Sequence, residues 1–163
     1  MSAATKSNVR RGFHAAWIAG IGLLAGAMAH ADDACLLTPA ELQSLTGRAF
    51  SDGEPGKNLG DGSPLCHYAE KDNPRRKLTI GVSSTNAQRQ FESRVRLLQA
   101  SGKPIDLEGV GDRAYFNGTA AGVLSGDKLI TFSNLRRSSD PKIAAEQLVP
   151  VLQRALKKAA EKN

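Results

Sequence analysis

The sequence predicts an α+β domain: an antiparallel meander sheet of about five strands with helices packed on one face. Three observations carry that prediction. Short runs alternate apolar and polar residues, as at Leu78, Ile80 and Val82, which is the period of a half-buried strand. Two longer segments, 86–100 and 141–158, place apolar residues at helical spacing instead. The strand runs are joined by turn-length connections, which favours antiparallel neighbours with helices gathered against the sheet.

The elements follow in order. Thr38-Pro39-Ala40-Glu41 reads as a helix start: Thr38 caps, Pro39 suits the first helical position and Glu41 reaches back as a capping box. Leu42 and Leu45 give this helix a short apolar face, and Gly47 ends it. Residues 51–64 hold four glycines, two prolines and three acids, and read as a long surface loop. Strands are predicted over 65–70 and 77–83, separated by the turn-rich Lys71-Asp72-Asn73-Pro74. Ala87, Phe91, Val95 and Leu98 mark the apolar stripe of a helix over 86–100, stopped by Gly102. Strands over 113–116 and 119–125 flank Asn117-Gly118, a strong hairpin signal, and Gly126-Asp127 turns into a last strand over 128–134. A final helix starts at Asp140-Pro141. It carries Ala144, Leu148, Val151, Leu152 and Leu156 on its apolar side, with Pro150 expected to kink it.

Ahead of this domain, residues 10–31 read as an export signal. Arg10 and Arg11 give the positive start, residues 15–29 form an uncharged apolar run, and Ala29-His30-Ala31 supplies the small-x-small pattern of a cleavage site. The run is rich in Ala and Gly and shorter than the roughly 20 residues a spanning helix needs. The expected division is a signal peptide over 1–31 and one α+β domain over 32–163, periplasmic or secreted, with no stable membrane span after cleavage. Arg10-Arg11-Gly12-Phe13 leaves both an ordinary and a twin-arginine export route open. Removing the signal takes away Lys6, Arg10 and Arg11 and no acid, so the net charge falls from +6 to +3. That mild excess gives solubility and weak attraction to anionic surfaces, not a nucleic-acid signature.

Cys35 and Cys66 are the only cysteines, and in an oxidising compartment they are expected to form a disulfide. They lack the Cys-x-x-Cys spacing of a redox-active pair.

Four motifs recur in a fixed order: Cys-Leu-Leu-Thr-Pro-Ala-Glu-Leu at 35–42, Cys66-His67-Tyr68, Gly-Val-Gly-Asp-Arg-Ala at 109–114 and Gly-Asp-Lys-Leu at 126–129. Through them the chain resembles small secreted bacterial domains of unknown function, including actinobacterial lipoproteins with a PsbP-like fold. The resemblance covers most of residues 35–156. It implies a PsbP-like, envelope-associated α+β domain and brings no catalytic residues with it. Many such proteins are lipidated on a cysteine just after the signal. Here Asp32-Asp33-Ala34 precede Cys35 where a lipobox needs small or apolar residues.

The chemistry-bearing residues are sparse. His67 is the only histidine beyond the signal, and beside a cysteine pair it does not make a Cys/His metal site. No Gly-x-Ser-x-Gly accompanies it, so it reads as a strand histidine on the sheet surface. Gly109-Val110-Gly111 precedes a strand, whereas a phosphate loop opens a helix; it reads as a tight turn. The acids of the 51–64 loop do not follow the alternate spacing of a calcium loop, but the loop itself is a candidate place for partner contacts, since long loops in small domains are often functional. No metal or cofactor is expected. The basic clusters Arg75-Arg76-Lys77 and Arg136-Arg137 flank turns and are the candidate partner contacts. The expected function is a non-enzymatic domain that binds or assists an envelope protein, polymer or lipid, and not nucleic acid. Two alternatives stand beside it: a small hydrolase using Asp106, Glu108 or Asp112, and an inhibitor or subunit of an envelope complex.

Overall fold

Thr38 opens α1 (Pro39–Thr46) with a complete capping box. Its Oγ1 accepts from the Glu41 N–H at 3.2 Å, and Glu41 Oε2 accepts from the Thr38 N–H at 2.9 Å. Gly47 closes the helix in the left-handed conformation that glycine adopts without Cβ strain (φ 69°). The computed structural model describes residues 34–101, 104–135 and 141–162. The export segment, the boundary after Ala31 and the Arg136-Arg137 pair lie outside the described residues.

After α1 come β1 (Glu54–Lys57), β2 (Pro64–Ala69), β3 (Lys77–Ser83), α2 (Ala87–Ser101), β4 (Ile105–Asp106), β5 (Arg113–Phe116), β6 (Ala121–Ser125), β7 (Lys128–Ser133) and α3 (Pro141–Glu161). The seven strands form one antiparallel sheet in the order β1-β2-β3-β7-β6-β5-β4.

The α+β class holds, and the finer expectations change in four places. Among the described residues the sheet has seven strands rather than about five. β1 lies within the stretch 51–64 that reads as a loop, because Glu54-Pro55-Gly56-Lys57 has poor strand propensity and is held by pairing with β2. Pro55 is tolerated there because β1 is an edge strand. β4 is only two residues long, too short for any alternation to show.

The strands also do not run as one meander. β7 returns to the middle of the sheet and pairs with β3, so α2 and β4 carry the chain out to the far edge first. β6 starts at Ala121 rather than Thr119. The Asn117 side chain accepts from the N–H groups of Thr119 (3.0 Å) and Ala120 (2.7 Å), which widens the turn.

The helices do not share one face. Ile80, Phe132, Ala121 and Phe116 are register partners across the sheet, so their side chains point to one side and pack with Leu42 of α1 and Leu148, Val151 and Leu152 of α3. Tyr115, Leu124 and Leu129 point to the other side, where Ala87 and Phe91 of α2 cover them. The reason is visible in β5, β6 and β7: each carries large apolar residues at consecutive positions, so both faces need cover. Phe91 meets Tyr115 at a ring-centroid distance of 5.4 Å, and the Tyr115 ring lies over Gly122, where any Cβ would come within 2.5 Å of it.

The main core extends to the start of the described chain. Ala34, Leu36 and Leu37 are buried, the Tyr68 hydroxyl donates to the Leu37 carbonyl at 2.7 Å, and Cys35 is disulfide-bonded to Cys66 with Cα atoms 5.0 Å apart. Helix α3 runs on through Pro150, which sits on its exposed side.

Candidate binding cleft

One end of the sheet gathers the β1–β2 connection, the end of β3, the start of α2, the β6–β7 turn and the end of α3. Together they line a cleft of about 770 Å³, within the size range of small-molecule sites. Lys57 ends β1, Asp61 comes from the β1–β2 connection, Arg89 and Gln90 from the first turn of α2, Lys128 from β7 and Lys162 from the chain just after α3.

Local bonding builds the walls. Asn58 Oδ1 accepts from the Gly60 N–H at 2.8 Å. Asp61 Oδ1 accepts from the Ser63 hydroxyl (2.6 Å) and N–H (3.0 Å), side-chain turns that shape the connection. These Ser63 bonds hold the Asp61 carboxyl below its usual pKa, so it stays ionised. Gln90 then ties the connection to the β3–α2 corner: its amide donates to Thr85 O (2.9 Å), Ser83 Oγ (3.0 Å) and Asp61 Oδ2 (3.4 Å). Asn86 takes a left-handed backbone (φ 53°) as the chain swings from β3 into α2, a conformation asparagine tolerates better than most residues. On the far wall the Lys128 ammonium donates to the Ala159 carbonyl at 3.0 Å, binding β7 to the last turn of α3.

The lining is cationic, with four Lys/Arg side chains against Asp61 and Asp127. Hydroxyl and amide groups of the β3–α2 corner fill the space between them. A second, shallower groove of about 420 Å³ lies between α1 and α3. Its acid, Glu41, is already engaged by the Arg154 guanidinium, with Nε donating at 2.8 Å.

Apart from the 51–64 loop, the residues singled out by sequence fall elsewhere. Arg75, Arg76 and Lys77 are exposed at the β2–β3 turn, at the opposite end of β3 from the cleft, and Lys77 pairs with Glu54 across 3.4 Å. His67 is half-buried on the face opposite α1 and α3, its Nδ1 2.9 Å from Thr79 Oγ1. Asp106, Glu108 and Asp112 are exposed and line neither cleft; Asp112 accepts from the Gly126 N–H at 2.7 Å and so braces the β6–β7 turn. Gly109 and Gly111 both have positive φ, as a tight turn requires. Large exposed apolar side chains among the described residues are Leu59, at the tip of the β1–β2 connection, and Leu97, on α2. No described helix is long and apolar enough to cross a membrane.

Of the cleft residues, Lys57, Asp61, Gly62, Ser63 and Pro64 belong to the 51–64 loop that the sequence offers for partner contacts; the others share no local motif. The whole lining is spread from position 57 to 162, and only the fold brings it together. Compared with known protein families, curated proteins and solved structures, the chain matches none of them.

Proposed function

We propose that the protein is an exported binding domain that holds or assists a component of the cell envelope, in the periplasm or outside the cell, and performs no chemistry on it. The observation that carries this reading is the Cys35–Cys66 disulfide, which joins the start of the described chain to an inner strand and is packed into the main core. A buried bridge of this kind belongs to an oxidising compartment. The signal-like segment 10–31 and the PsbP-like likeness of the motifs over 35–156 support the same reading. The open cationic cleft, lined by groups suited to holding a ligand, supports the binding role.

The test is the intact mass of the protein recovered from a periplasmic fraction, before and after reduction and thiol alkylation. The expected species begins at Asp32 and takes up alkylating reagent only after reduction. An uncleaved chain with free thiols would overturn the proposal.

A further inference from the structure

We infer that the cleft binds an acidic carbohydrate chain, with Lys57 and Arg89 as its principal cationic contacts. This names a ligand class for the binding role proposed above and rests on that role, although the argument for it is geometric.

The first strand of the argument is charge. Among the described residues, neither Lys57 nor Arg89 has a carboxylate within ion-pair distance. Lys128 and Lys162 add positive potential from the opposite wall. Asp61, held by Ser63 and Gln90, and Asp127 offset part of that charge, and the four Lys/Arg side chains leave the cleft with a positive balance. A concave site with an excess of one sign of charge concentrates ions of the other sign.

The second strand is the neutral lining. Thr85 and Asn86 are exposed at the cleft and present a hydroxyl and an amide between the cations. Such groups match a ligand that carries hydroxyls as well as charge. Among the described residues no aromatic side chain lines the cleft, so these residues offer no platform on which nucleobases would stack. The concavity also argues for a chain entering the cleft over a flat lipid surface resting on it, since headgroups in a bilayer plane meet protruding cations most readily. An oligosaccharide bearing carboxylates or phosphates satisfies the charge, the hydroxyls and the shape together.

The test is calorimetric titration of the purified, disulfide-bonded protein with hexagalacturonate, with maltohexaose as the uncharged comparison. Vesicles of equal parts phosphatidylglycerol and phosphatidylcholine form the lipid arm. A K57Q/R89Q variant changes two exposed side chains; an R75Q/R76Q variant changes two others at the far end of the sheet. The wild type should bind hexagalacturonate and not maltohexaose. K57Q/R89Q should weaken that binding by about tenfold or more, with an unchanged melting temperature, while R75Q/R76Q leaves it unaltered. Absence of binding, equal binding of maltohexaose, an unaffected K57Q/R89Q variant, or binding to the vesicles alone would each overturn the inference. These outcomes do not depend on where the protein resides, so their failure and the failure of the export reading are separable.

Discussion

Gly53 occupies a position where no other residue fits: a Cβ there would lie 2.5 Å from Cys66 Sγ and 2.9 Å from the Tyr68 ring. Gly53→Ala should therefore destabilise the protein by about 1–3 kcal/mol, read from urea denaturation. The neighbouring Tyr68 gives a pH signature. Burial raises its phenol from 10.0 to about 12. Its folded value lies above its unfolded one, so its stabilising share is whole below pH 10.0 and is lost as pH rises toward about 12. Over that window the wild type should lose about 2–3 kcal/mol more than Tyr68→Phe in denaturation curves. Arg48 and Glu70 form an ion pair at the rim of the core, with Arg48 also 5.3 Å above the Phe50 ring. Arg48→Ala strands the Glu70 carboxylate, which is 5% exposed, and should cost about 3 kcal/mol. The double variant with Glu70→Leu should recover part of that loss.

Among the elements, α1 is short and is held by Leu42 in the core and by Glu41 at its start. That carboxyl completes the capping box and accepts the Arg154 fork from α3. The Thr38 N–H is the main cause that holds its pKa below 4.5, with Arg154 adding to it. Its contribution is present above the unfolded value and fades as pH falls through the lower folded one. Glu41→Ala should cost about 1–2 kcal/mol at neutral pH and less at acid pH, with hydrogen exchange rising first along α1. The capping box itself is legible in Thr38-Pro39-Ala40-Glu41, because its signal is local. So is the stripe Ala87, Phe91, Val95 and Leu98, which the structure buries as one cluster with Tyr115. The side of the sheet that stripe covers is not legible, since it depends on where β7 returns. β1 escapes for a related reason: its residues are strand-like only through their partner, and Pro55 and Gly56 argue against a strand when read alone.

At the scale of the whole molecule, two long-range features organise the chain: the bridge from Cys35 to Cys66 and the cleft where five segments meet. The bridge was legible because two cysteines leave one pairing. The cleft was not, because charge on a one-dimensional chain does not say which residues face one cavity; Arg75-Arg76-Lys77 looked denser in sequence and lies at the wrong end. Chain entropy over the 31-residue separation gives the bridge roughly 3–4 kcal/mol of stability. Cys35→Ser with Cys66→Ser should lower the unfolding free energy by about that much. The same bridge has a mechanical consequence. A pull on Ala34 reaches Cys35 and passes straight through the sulfurs to β2, so α1 and β1 sit in a covalent ring that bears no tension. The load instead falls on the ladders that β2 makes with β3. In an optical trap the oxidised protein should extend by about 100 Å less than the reduced one, the length of a 31-residue chain segment at full stretch less the 5.0 Å already spanned.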